Sequence, residues 1–136
     1  MKERYRSLVA VYAMVVNDRK EILLLRRMNT GYRDGFYDMP AGHLEEGETL
    51  REGTIRELEE ETGLKAAILK KGRLFQKGDR KLGKTWTIMP FLCSVKSNKV
   101  KLCHENAEFR WIECKDLGNY PAVPGLEKDL KVLGLI

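Results

Sequence analysis

The sequence predicts an α/β or α+β sandwich built on a mixed sheet. Apolar segments rich in Val and Leu occupy residues 8–16 and 22–25, an amphipathic segment with helix start and stop signals covers 50–62, and further strand patterns separate it from a second helical pattern near the end. The 136 residues suit one domain over 1–136, large enough to bury about two thirds of the surface that the unfolded chain exposes.

Residues 8–16 are continuous apolar sequence, 21–27 repeat the style through Ile22, Leu23, Leu24 and Leu25, and Asn17-Asp18-Arg19-Lys20 supplies turn chemistry between them. Two buried strands joined as a hairpin are expected. Residues 29–38 form a loop in which Tyr32, Phe36 and Tyr37 accompany two Gly and two Asp, an aromatic content that suits contact with a ligand. Thr49 and Glu52 have capping-box spacing and Gly63 is a natural stop, so a helix is predicted over 50–62. Residues 65–76 and 85–95 read as strands around a polar turn at 77–84, with shorter strands at 99–103 and 108–113. Leu126, Leu130 and Leu133 recur at helical spacing behind Pro124, which predicts a last helix over 125–133.

The net charge of +5 is unevenly spread. Between Glu45 and Glu61, eight acidic residues stand against only Arg51 and Arg56, a net −6 that leaves +11 on the rest of the chain. Carboxylates concentrated in a basic protein suggest bound cations, and cations beside basic surface suggest a phosphate substrate. Lys and Arg are otherwise scattered without a run of five like charges, so nucleic acid is not an expected partner. The apolar run at 8–16 is about half of the roughly 20 residues a membrane-spanning helix needs, and no small-residue cleavage site follows it. A cytoplasmic protein without a membrane partner is expected. Cys93, Cys103 and Cys114 are odd in number and widely spaced, which favours buried, reduced thiols over disulfides or a zinc knuckle.

On a helix, Glu57, Glu60 and Glu61 lie within about 100° of one another, with Ile55, Leu58 and Thr62 opposite. Clustered like charges near a helix C-terminus cost stability through both mutual repulsion and the macrodipole. A divalent cation reverses the sign of both penalties, as expected of a functional site. The competing interpretation is a solvated acidic face braced by an Arg56–Glu57 pair. The preceding loop, residues 40–48, favours the metal: its glycines let main-chain carbonyls approach the carboxylates, supplying the hard oxygens that Mg²⁺ or Mn²⁺ prefers. His43 receives no ligand role because Mg²⁺ prefers oxygen.

These residues resemble the Nudix hydrolase signature, Gly-x5-Glu-x7-Arg-Glu-U-x-Glu-Glu-x-Gly-U with U aliphatic. Gly42, Glu48, Arg56, Glu57, Leu58, Glu60, Glu61, Gly63 and Leu64 fill every specified position across 23 residues. The resemblance, to MutT-like nucleoside diphosphate-X hydrolases, implies a Nudix fold, an α/β/α sandwich with a mixed β-sheet. It further implies Glu57, Glu60 and Glu61 as metal-binding and catalytic carboxylates, the Ala41 carbonyl as a further ligand of Mg²⁺ or Mn²⁺, and Arg56 as their orienting residue. Glu48 matches the box glutamate that reaches toward the metal or stabilises the loop. The general base is left open among Glu57, Glu60, Glu61, Glu105 and Glu108, with Glu105 favoured outside the box.

Arg27 ends a strand and can meet phosphates as a bidentate donor, while Arg26 points to the opposite face. Trp86 is a candidate to stack on a base, and Phe36 and Tyr37 are further substrate-binding candidates. Trp111 reads as core. Subgroups of the family carry a proline or a tyrosine downstream of the box for ADP-ribose or diadenosine polyphosphates; here Arg80, Lys81 and Leu82 stand there. By elimination the expected substrate is a nucleoside triphosphate, oxidised or non-standard ones included, cut to monophosphate and pyrophosphate. ADP-ribose, a nucleotide sugar or another nucleoside diphosphate-X is the alternative, and a non-catalytic nucleotide- or RNA-binding module is the competing class. A homodimer is left open.

Overall fold

The computed structural model describes residues 7–31, 34–79, 83–103, 106–123 and 125–135. Strand β1 (Ser7–Val16) runs parallel to β7 (Lys84–Ser94) along its whole length, from Ser7 opposite Thr85 to Val16 opposite Ser94. This central pair is flanked by antiparallel strands, so the sheet is mixed. Beyond β1 lie β2 (Ile22–Arg27) and then β3 (Tyr37–Asp38), and beyond β7 lies β5 (Ala67–Lys71). β4 (Ala41–His43) also pairs with β1, β6 (Phe75–Asp79) with β7, and β8 (Asn106–Ile112) with β2.

Alternation along β1 loads both faces of this sheet. Val11, Ala13 and Val15 pack with Leu23, Leu25 and Phe91 against Leu58 of helix α1 (Leu50–Thr62). Met14 packs with Ile22 and Leu24 under Leu126, Leu130 and Leu133, of which the first two belong to helix α2 (Leu126–Val132). The result is the expected α/β/α sandwich. No helix among the described residues is long and apolar enough to cross a membrane.

Several elements differ from the sequence expectation for physical reasons. The β1–β2 turn forms, with Asn17 N–H on the Glu21 carbonyl at 3.1 Å, but the strands pair only at Val16–Ile22 before diverging. β4 on β1 and β3 on β2 occupy the edges that a simple hairpin would have used, while β8 pairs with the other edge of β2. The strand expected over 65–76 is two, β5 and β6, which pair in turn with β7 on either side of Pro90. Proline has no N–H to donate, so the ladder is interrupted there. Residues 99–103 form no strand; Lys101 N–H instead reaches the Thr62 carbonyl at the end of α1, 2.8 Å away. A 3-10 helix at Cys114–Asn119, unmarked by any periodicity, leads into the segment that bonds both backbone groups of Tyr37.

Helix α1 starts and stops as its residues dictate. Thr49 Oγ1 accepts the Glu52 N–H at 3.1 Å and Glu52 Oε1 accepts the Thr49 N–H at 3.0 Å, a complete capping box, while Gly63 closes the helix at φ 73°. Its roll about the axis departs from expectation. Thr54, Leu58, Glu61 and Thr62 form the buried stripe, and Ile55 is 38% exposed. That roll carries Glu61 inward, to 8% exposure.

Candidate active site

Where β4 meets α1, Gly42 has no side chain because Glu57 occupies the space: a Cβ there would overlap the Glu57 carboxyl. Glycine is required for that close approach. Behind it, Arg56 is the hub of the acidic block. Its Nε and Nη2 bind the two Glu48 oxygens at 2.6 and 2.9 Å, Nη1 reaches Glu57 at 3.0 Å and Glu60 at 3.1 Å, and Nη2 also donates to the His43 carbonyl at 2.8 Å. A planar guanidinium can make this two-sided fork, whereas a lysine ammonium cannot. The Arg56 bond and the Glu45 N–H hold the Glu48 carboxyl below its ordinary range. Burial pushes the Glu57 carboxyl up, although Arg56 opposes it.

Glu57 and Glu61 line a cavity of about 530 Å³, together with Ala41 and Gly42. Arg27, Asp38, Lys77, Trp86, Ile88 and Tyr12 line it as well. Arg27 Nη1 lies 3.3 Å from Asp38 Oδ2, and Asp38 Oδ1 accepts the Met39 N–H at 2.8 Å. Burial raises the Asp38 carboxyl against the pull of these partners. The His43 ring sits on Trp86, with centroids 4.9 Å apart and planes at 36°.

Of the residues expected at the site, Ala41, Glu57, Glu61, Arg27 and Trp86 line this one cavity. Arg56 stands behind it, and Glu60, with its side chain 57% exposed, turns to Arg56 without lining it. Glu105 lies outside the described residues, as do Arg80, Lys81 and Leu82. Phe36 is exposed and lines no part of the cavity. Tyr37 and Glu108 are corrected in position: both lie opposite or beside Arg26 in the ladders, away from the cavity. Tyr37 is buried in the α2-side core, packs edge-on against Tyr120 at 5.3 Å, and donates its hydroxyl to Glu108. Glu108 also pairs with Arg26 at 3.2 Å, so its carboxylate is occupied on a different surface from Glu57. The sequence reading missed Asp38, Lys77 and the cavity role of His43. Lys77 lies directly opposite Trp86 in the β6–β7 ladder, and only that register, with the β6 strand it presupposes, identifies it.

Among the described residues, no three acidic, His or Cys side chains stand close enough together to hold a metal unaided. The residue types nevertheless fit a hard cation, because the Glu57 and Glu61 carboxylates line one cavity beside Ala41 and Gly42, and Gly42 has no side chain to displace the Glu57 carboxyl.

The family model described as the NUDIX domain matches residues 6–132. Nudix hydrolase 6 of Arabidopsis thaliana is 27% identical over 83% of this chain, which spans only 41% of that protein; the chain is likewise well short of several other curated relatives that it matches. An RNA pyrophosphohydrolase of Novosphingobium aromaticivorans is 30% identical over 83% of this chain and 80% of its own length. A solved MutT protein from Methanosarcina mazei Go1 superposes with a TM-score of 0.80 at 28% identity, covering 94% of this chain and 92% of its own.

Proposed function

The chain belongs to the NUDIX family, and on that premise we propose that it hydrolyses a phosphoric anhydride of a nucleoside triphosphate, releasing monophosphate and pyrophosphate. One observation carries the reading: one cavity of nucleotide size is lined at once by the Glu57 and Glu61 carboxylates, by the cations Arg27 and Lys77, and by the Trp86 indole. Glu57, Glu61 and the Ala41 carbonyl, with Glu60 at the rim, would hold Mg²⁺ or Mn²⁺. Such an ion supplies neutralisation of phosphate oxygens and a lowered pKa for bound water.

The chain's own residues do the rest. Arg56 fixes the rotamers of Glu57 and Glu60, so that the carboxylates need not reorganise during the reaction. Arg27 and Lys77 orient the phosphate chain, and Trp86 stacks on the base. The proton leaving the attacking water passes to a carboxylate; Glu57 and Glu61 face the cavity, and Glu105 stays a candidate.

The RNA pyrophosphohydrolase relative favours a second reading, in which the triphosphate is the 5′ end of an RNA and the bond cut is the same. ADP-ribose or a nucleotide sugar would use the same carboxylates and place its own base on Trp86, differing in the sugar beyond the diphosphate. A Mg²⁺-dependent panel of nucleoside triphosphates, ADP-ribose, nucleotide sugars and 5′-triphosphorylated RNA, run on the parent and Glu57→Gln, separates these by product. Pyrophosphate from a free nucleotide, lost in Glu57→Gln, is the expected result. Equal turnover in both proteins would remove the assigned chemistry.

A further inference from the structure

Strands β4 and β7 flank β1 on opposite sides, so residues facing each other across it stand about 9.5 Å apart at the backbone. His43 and Ile88 are both partnered with Ala10, and Trp86 lies two residues before Ile88 on the same face. The His43 and Trp86 rings nevertheless meet over β1, at 4.9 Å. Trp86 itself stands opposite Leu8 on β1, while Ala10, the partner of His43, carries only a methyl on that face and leaves room for the two rings to lean toward each other. This contact bears on the carboxylates of the cavity. β4 is only three residues long, and it carries Ala41 and Gly42, against which Glu57 docks. The His43 carbonyl is held by Arg56, which in turn holds Glu57.

We propose that Trp86 is a positioning residue as well as a base platform: by bracing the His43 ring over β1 beside Ala10 it fixes β4, so that this aromatic pair sets the geometry of the Gly42–Glu57 contact. This rests on the hydrolase reading above. A base stacked on Trp86 therefore stiffens the segment that aligns the carboxylates, and a substrate without a base forgoes that alignment. An interaction that acts on the reacting geometry lowers kcat when lost, whereas plain base binding changes KM.

The test compares the parent with Trp86→Ala, Trp86→Phe, His43→Ala, Ala10→Leu and the Trp86→Ala/His43→Ala double variant. Hydrogen exchange of the amides at 41–43 is measured without substrate, and kcat and KM with the best nucleotide of the panel. The expected result is faster exchange at 41–43 and a kcat lowered by up to about tenfold in Trp86→Ala, His43→Ala and Ala10→Leu, the scale of one aromatic pair. The double variant should be no slower than Trp86→Ala, and Trp86→Phe should recover most of the lost kcat. Unchanged exchange in all three single variants, additive losses in the double variant, or an effect on KM alone would each overturn the coupling. His43 is exposed, so His43→Ala keeps the core intact and guards against a variant that merely unfolds. If the parent turned over no nucleotide, the hydrolase reading would fail, and the exchange measurement would still decide whether the rings brace β4.

Discussion

Gly42 shows how one missing methyl can define a site. Its neighbour across space is the Glu57 carboxyl, so any side chain at 42 must displace either β4 or the carboxylate. Gly42→Ala is therefore expected to lower kcat by about 10²-fold, the cost of misplacing a reacting group by about 1 Å, while circular dichroism and the melting temperature stay close to the parent's. A collapse of folding with no separate loss of activity would show that the glycine serves the sheet and not the site. Arg56 is the complementary case, a residue defined by what it gathers. Its identity is legible in the sequence, but its simultaneous grip on Glu48, Glu57, Glu60 and the His43 carbonyl is not, because that depends on how the loop before α1 folds back.

At the level of elements, α1 and α2 differ in how they are held. α1 carries its own start and stop signals, and its residues contain most of the information needed to form it. α2 has a glycine N-cap without a side-chain bond and relies on Leu126 and Leu130 packing on the sheet. It also carries Asp129, whose carboxyl is pushed up to about 6, first by burial, with Lys77 opposing and Asp38 reinforcing. Because the folded state keeps this proton at higher pH than the unfolded chain does, the group favours folding below the ordinary carboxylate range and loses that benefit as pH rises through about 6. Asp129→Asn should then stabilise the protein at pH 7.5 by about 1–2 kcal/mol, after discounting for solvent screening, and leave stability near pH 4 unchanged. Urea denaturation at the two pH values measures this; an equal shift at both would assign the effect to packing instead of ionisation.

For the whole molecule, the charge division seen in the composition becomes a field. The acidic block is partly neutralised internally by Arg56, while Arg27 and Lys77 look into the cavity from a chain that carries +11 outside the block. If the proposed triphosphate is the substrate, this surface would steer it, so kcat/KM should fall several-fold between low and roughly 0.5 M salt with kcat less affected. Salt-independent kcat/KM would mean that these cations act only after binding. The sequence by itself determined the helix with its caps, the continuous apolar run whose residues load both sheet faces, and the carboxylates of the acidic block, because each of these depends on residues within a turn or two of one another. Only the tertiary structure decided which side chains share the cavity. Lys77 joins Trp86 through a ladder register, Ala10 lets His43 reach Trp86 across a strand, and Tyr37 with Glu108 faces away, all consequences of pairing between segments far apart in the chain. The roll of α1 that buries Glu61 and exposes Ile55 belongs to the same class, since a helix's face is chosen by the sheet it packs against and not by its own periodicity alone.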